Sequence, residues 1–212
     1  ISLYLEVGPD YAVRGSHSCV ERVPVAANLR HHDIEPVFNE QTLAEGGPEF
    51  DYRRELTLLW EFATVLEAGR GKPSANPQNV EYGFHVDWAE PEGRIDIVPR
   101  RRGSPLDKLV AELMIVANAT WGKLLAEAQV AAIDRVQGNG KVRMTTAALS
   151  HEGLGVDCYA WSSSPLRRYV DLLNQWQLLA HLAGEAPPFT ARSEALLAAM
   201  RDFEITYAAY AE

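Results

Sequence analysis

SSSPLRRYVDLLNQWQ, residues 162–177, reads as the start of a helix with the wrong charge in its first turn. Ser164 suits an N-cap and Pro165 the first helical position. Leu166, Tyr169, Val170, Leu173, Trp176 and Ala180 recur at three- and four-residue steps, and Gly184 follows as a stop. The pattern therefore predicts an amphipathic helix of roughly 18 residues. Arg167 and Arg168 then fall where the helix dipole is positive and the first N–H groups lack partners, which points to an anion at this place. The alternative is that the arginines pair with acidic side chains, Asp171 being one turn away.

The chain supplies a control. SPLDKLV, residues 104–110, opens a second helix with the same Ser-Pro-Leu, but carries Asp107 where the later segment carries Arg167. An acid at that place is what a capping box requires, so one start is built for stability and the other is not. Leu106, Leu109, Val110, Leu113, Met114 and Ala117 make this helix, Pro105 to about Ala128, a buried one. Glu112 and Asn118 on it must then find polar partners.

With 212 residues, 47% of them hydrophobic, the chain can bury a full core, and one large domain is expected. A net charge of −9 argues against nucleic-acid binding through the whole surface, though not against a narrow basic channel. Cys19 and Cys158 make no disulfide framework and no CxxC spacing, which suits a reducing cytoplasm. No signal peptide is seen and no membrane partner is expected.

HEGLGVDCYAWSSSPLRRYVDLLNQWQL, His151 to Leu178, closely resembles the signature of the ribonuclease II family catalytic domain, the RNB domain. That signature pairs a His-x-Gly-Leu-Gly run and a Tyr with a Thr-Ser-Pro-[Ile/Leu]-Arg-[Arg/Lys]-Tyr-x-Asp helix start. Ser163 stands in place of the usual Thr. PRRRGSPLDKLVAELMIVAN, Pro99 to Asn118, is similar to the family's Arg-rich segment and its Val-x-Glu-x-Met-x-x-Ala-Asn helix. The resemblance spans nearly the whole chain and is strongest after residue 94. It implies an α/β (α+β) fold, a mixed, largely antiparallel sheet packed with helices. The implied activity is 3′-to-5′ hydrolysis of single-stranded RNA assisted by Mg²⁺ or Mn²⁺.

The resemblance also assigns roles. Arg167 is the expected catalytic contact to the scissile or adjacent phosphate, and Glu112 matches a glutamate near the terminal nucleotide. Arg168, Ser164 and Tyr159 are expected at the RNA, and His31 falls near a position that sets where trimming stops. Asn76 occupies the place of an aromatic that stacks on the terminal base. The family's metal ligands follow the pattern Asp, five residues, Asp, one residue, Asp-Asp, which does not occur here. In the family that cluster lies N-terminal to where this chain begins. Residues 1–212 are thus expected to be a partial RNB-like domain, truncated at both ends. No metal ligand is expected in the chain, and its partners would be the missing part of the domain and flanking RNA-binding domains. The alternative is a non-catalytic RNA-binding or assembly module derived from the same fold.

The remaining segments read locally. Ser2–Val7 alternates as a strand, Gly8-Pro9-Asp10 turns into a second, and Cys19–Leu29 is a candidate third. His31, His32 and Asp33 are metal-ligand types, but neighbours in sequence point apart and no other histidine has matching spacing. A helix is expected from Tyr52 to Leu66, closing at Gly69. Hairpins are expected around residues 90–93 and around Gly138-Asn139-Gly140, the latter joining strands over Val130–Val136 and Val142–Thr146. Asp157–Ser162 is expected to be a strand that delivers the chain to the arginine-bearing helix, the corner between them suiting an anion. Gly153 and Gly155 are placed for close approach of another segment or a ligand. Leu196, Met200, Phe203, Tyr207 and Tyr210 mark a last helix.

Overall fold

The structure is a computed structural model that describes residues 1–73, 80–89 and 93–211. In chain order its elements are β1 (Ser2–Val7), β2 (Val13–Cys19), α1 (His31–Ile34), α2 (Glu40–Glu45), α3 (Arg53–Arg70), β3 (Val80–Asp87), β4 (Arg94–Arg101), α4 (Pro105–Glu127), β5 (Asp134–Gly138), β6 (Lys141–Thr145), α5 (Tyr169–Ala183) and α6 (Glu194–Ala211). Helices and antiparallel strands mix as expected. Among the described residues the strands form three separate two-stranded sheets, β1-β2, β3-β4 and β5-β6. The chain divides into two compact units, Ile1–Val25 with Ala68–Lys72 and Leu113–Glu212, and Ala26–Glu67 with Pro73–Glu112.

The second unit holds α1, α2, most of α3, the β3-β4 hairpin and the first two turns of α4. Phe38, Leu56, Phe62, Ala63, Leu106 and Leu109 form its buried apolar set. The start of α4 is a closed capping box: the Ser104 hydroxyl accepts the Asp107 N–H at 3.2 Å, and Asp107 accepts the Ser104 N–H at 3.3 Å. The β3-β4 hairpin pairs from Val80↔Arg101 to Asp87↔Arg94, leaving Tyr82, Phe84, Ile95 and Ile97 exposed. Glu40–Glu45 forms α2, whose start is fixed by a capping box between the N-cap Asn39 and Thr42.

The first unit is built on two apolar clusters. Ile115, Ile133, Met144, Tyr159, Trp161, Val170, Leu173 and Leu196 form one, and Trp121, Leu125, Ala132, Ala160 and Leu178 the other. The β1-β2 hairpin packs through Ile1 and Leu3, and its Ser18 hydroxyl accepts the Trp121 indole N–H at 3.0 Å. The β5-β6 turn has Asn139 at φ 53° and Gly140 at φ 79°, the pair of positive angles that a tight type I′ hairpin demands. Gly155, at φ 67°, passes so close to the Arg70 carbonyl that a Cβ would stand 2.6 Å from it.

Two expected strands do not form. Residues 20–30 have no regular structure, and Val20, Val23 and Val25 stay exposed, because Pro24 cannot donate to a ladder and no sheet face receives them. Asp157–Ser162 makes only an isolated bridge, Asp134↔Ala160, with the Tyr159 carbonyl accepting the Arg135 N–H at 2.8 Å, because side chains hold the backbone groups that follow at Trp161 and Ser162. The Ser162 N–H donates to Asn118 Oδ1 at 2.9 Å and its carbonyl accepts Gln175 Nε2 at 2.7 Å.

α4 is long and apolar enough by composition to cross a membrane. Its buried Asp107, Glu112 and Asn118, with Leu109, Ile115, Trp121 and Leu125 buried along its length, give it the character of a core helix.

The two Ser-Pro-Leu starts give a direct test. Ser104→Ala is expected to lower unfolding stability by about 1 kcal/mol through loss of its cap, and Ser164→Ala by less than about 0.5 kcal/mol, because its hydroxyl holds no helix N–H. Urea midpoints of the two variants would be compared; equal losses would mean that Ser164 caps after all.

Candidate functional site

The decisive turn departs from the sequence expectation. Ser164–Arg168 forms a single closed turn in which the Ser164 carbonyl accepts the N–H groups of Arg167 at 3.2 Å and Arg168 at 3.0 Å. α5 begins only at Tyr169, and Arg168, not Ser164, is its N-cap, with an extended backbone and no side-chain cap. Asp171 is the reason. Its carboxylate is fully buried and its Oδ1 accepts the Ser164 N–H at 2.8 Å, seven residues back in the chain. The Arg168 guanidinium grips the same carboxylate with Nε to Oδ2 and Nη2 to Oδ1, both at 2.7 Å. The anion that the helix start calls for is therefore Asp171 itself, and the N–H of Ser164 is not open to a ligand.

The two arginines separate completely. Arg168 is mostly buried, its guanidinium carbon 4.1 Å from the centroid of the Trp161 ring as well as paired with Asp171. Arg167 is exposed between Leu166, which is fully exposed, and Tyr169, and no described residue holds its guanidinium. A cation whose backbone is fixed by a rigid turn and whose fork is empty can take two oxygens of one phosphate without first breaking a contact.

The buried face of α5 keeps only Val170, Leu173 and Ala180 of the apolar stripe that the spacing predicts. Leu166, Tyr169 and Trp176 are exposed, whereas Val170, Asp171, Leu173, Asn174, Gln177, Leu178 and Ala180 are buried. Polar side chains at three-residue steps face inward because they hold backbone groups of neighbouring loops. Asn174 Oδ1 accepts the Ile133 N–H at 2.7 Å, and its Nδ2 donates to the carbonyls of Ile133 at 2.9 Å and Trp161 at 2.8 Å. Gln177 donates to the carbonyls of Ala131 and Phe189 and accepts the Phe189 N–H. Asn118 holds the other side, donating to the Ser163 hydroxyl at 3.2 Å. The available signal was the Asp171, Asn174, Gln177 spacing, which matches a helix face as well as the apolar residues do.

Tyr159 is buried against His151, ring centroids 5.7 Å apart, and its hydroxyl lies 3.5 Å from Asn118 Nδ2. His151 is buried, and burial with the nearby Arg135 lowers its pKa. Asp134 is 2% exposed with Oδ1 unpartnered, and burial pushes its carboxyl up to about 7. In the second unit, Glu112 is buried and partnered, and His31 Nε2 lies 3.7 Å from Asp107 Oδ1. The structure thus brings Arg167, Arg168, Ser164 and Tyr159 together in one unit, while Glu112 and His31 lie in the other. Asn76 lies outside the described residues, as do the side chains of Arg100 and Arg101.

Residues 139–184, which contain this turn, match the family model of the RNB domain. An uncharacterised ribonuclease of Synechocystis, sll1290, is 29% identical over 111 residues, which are 39% of this chain and 16% of that protein. Apo RNase R of Mycoplasma genitalium superposes with a TM-score of 0.64 at 15% identity, over 84% of this chain and 36% of that one. A Dss1 exoribonuclease of Candida glabrata superposes with a TM-score of 0.58 at 19% identity, over 76% of this chain and 25% of that one. The chain has the fold of the RNB-family ribonucleases and contains recognisable RNB-domain sequence. It spans little more than a third, or less, of the length of these relatives.

Two measurements check this anatomy. Asn174→Ala leaves the Ile133 N–H and two carbonyls unsatisfied at roughly 1–3 kcal/mol per group, so a loss of about 3 kcal/mol or more is expected in urea unfolding. Asp134 holds its proton more tightly folded than unfolded. Its contribution is full below about pH 4, the unfolded value, and is lost as pH rises through about 7. Asp134→Asn should therefore gain stability over the parent chain progressively between those limits, and a difference that is flat with pH would contradict the assignment.

Proposed function

We propose that this chain is part of a 3′-to-5′ exoribonuclease that hydrolyses single-stranded RNA, with Arg167 contacting the phosphate at or beside the scissile bond. The observation that carries the reading is the contrast at the turn, where one arginine is locked and its neighbour is presented with an empty fork on a rigid backbone. RNB-family fold likeness supports it, and so does RNase R of Mycoplasma genitalium, solved in complex with ribose-methylated single-stranded RNA. The free thiols Cys19 and Cys158 suit a reducing cytoplasm.

Mg²⁺ or Mn²⁺ belongs to this proposal as a group held outside the chain. Among the described residues no group of three or more His, Cys, Asp or Glu side chains could hold a metal ion, so no step is assigned to a metal here. What the chain's own residues supply is positioning and charge. Asp171 and Arg168 fix the turn, and the Arg167 fork stabilises negative charge as it builds on the phosphate oxygens.

In the whole protein, Arg167→Lys is expected to lower the single-turnover rate on the order of a hundred-fold, about 3 kcal/mol, with RNA affinity largely kept. Lys retains the charge but lacks the planar fork. Arg168→Lys should instead lower stability, since it breaks the bidentate pair, while the rate of the folded fraction changes much less. If Arg167→Lys keeps its rate, or loses rate and binding in equal proportion, the assignment is wrong. The isolated chain should give no RNA hydrolysis above a buffer blank with either metal; hydrolysis would place the metal ligands inside it. RNA binding without hydrolysis by the whole protein would favour the non-catalytic module.

A further inference from the structure

The C-terminal end of α4, the loop that follows it and the segment after α5 line a pocket of about 480 Å³, whose walls include Ala126, Val130, Ala132, Asp134, Ala148 and Phe189. That volume is typical of pockets that hold small organic molecules. Ala132 and Asp134 are buried at its floor, whereas Ala148 and Thr190 are exposed at its rim. The walls are mostly apolar, and Asp134 is the one charged group among the described residues that form them. Strand alternation accounts for its place. Arg135, the next residue of β5, lies over the Trp161 ring, so Asp134 turns to the opposite face of the strand, the side of Ala132.

This carboxyl lacks what a buried carboxyl needs. Its Oδ1 receives no hydrogen bond from any described residue. Burial pushes the group up to about 7, against a backbone hydrogen bond from Tyr159 that favours the ionised form, and no cation adds to that favour. The stretches of α4, 129–132, 146–148 and 187–191 that line the pocket bring no charged side chain to it. Cys158, on the neighbouring segment, is a titratable group coupled to Asp134, and its thiol is raised by burial and then by Asp134 itself. A cation bearing N–H donors would supply both the missing charge and the missing hydrogen bond. The chain's net charge of −9 favours its approach.

We propose that this pocket binds a small organic ammonium compound, its N–H donors on the Asp134 carboxylate and its apolar body against Val130, Ala132 and Phe189. An alcohol of the same shape would fill the apolar walls but bring only a neutral donor, and a carboxylate would meet a like charge. The site uses neither Arg167 nor RNA, so it stands or falls apart from the nuclease reading.

The test is calorimetric titration of the 212-residue chain at pH 8 with benzylamine, benzyl alcohol and benzoate, which share one ring. Benzylamine is expected to bind at least about tenfold more tightly than benzyl alcohol, the effect of a charge-assisted contact, and benzoate should bind least. Between pH 8 and pH 6 the benzylamine affinity should fall as Asp134 takes up its proton, while the alcohol affinity stays flat. Carbon-13 NMR of the Asp134 carboxyl should show its titration midpoint lowered when benzylamine is bound, since an adjacent cation favours the ionised form. Asp134→Asn keeps the shape without the charge, and in it the preference for the amine should vanish. Equal affinity for amine and alcohol, absent benzylamine binding by the folded chain, or a preference that survives in Asp134→Asn would each overturn the proposal.

Discussion

The buried carboxylate of Asp171 gathers the Ser164 N–H and the Arg168 guanidinium, and the geometry of the arginine-bearing turn follows from that convergence. A carboxylate taken wholly out of water must be paired and hydrogen-bonded. Here both oxygens are used, one of them twice. Such a pair adds little net stability compared with a well-packed apolar equivalent, yet breaking it by removing one partner costs roughly 3–5 kcal/mol. Its effect is therefore conformational. By reaching back to Ser164, Asp171 forces the intervening residues to close on themselves, delays the helix to Tyr169, and turns Arg167 outward.

The same logic runs along α5. Asn174 and Gln177 bind backbone groups that would otherwise require a β-ladder, and Asn118 and Gln175 do so for Ser162. Side-chain amides thus replace strand pairing around the turn. This explains how the end of the segment, Trp161 and Ser162, is held in place without being a strand. It also explains why a helix with a polar inner edge packs at all: each buried amide has its partners, so the desolvation penalty is offset. Trp161, lying close to both Arg168 and Arg135, joins this network to the β5-β6 hairpin and α6.

The division of labour between the adjacent arginines bears on how the RNB-type signature is read. Two consecutive cations in a motif suggest a shared electrostatic duty, but here Arg168 is consumed by the architecture and only Arg167 is presented. Charge count alone would therefore overstate the cationic surface at this turn. The chain's net charge of −9 is compatible with such local presentation, because one oriented fork in a fixed geometry contributes more to phosphate recognition than scattered surface charge.

Features legible in the sequence by itself share a local cause. The Ser104–Asp107 capping box, the Asn139-Gly140 turn, the β1 alternation and the left-handed stop at Gly184 each depend on residues within a few positions of one another. The two signature blocks were legible for the same reason, since they are runs of contiguous residues. What only the tertiary structure decided is where α5 begins, which of its faces is buried, and which arginine is free. The buried face depends on Ile133, Ala131 and Phe189 meeting α5 from other parts of the chain, and the start and the free arginine depend on Asp171 being buried, where it gathers Ser164 and Arg168. Local spacing ranks a face by its apolar residues, but a buried amide with every partner satisfied competes equally for the interior, and the Ile133 and Ala131 groups that Asn174 and Gln177 hold lie outside their own segment.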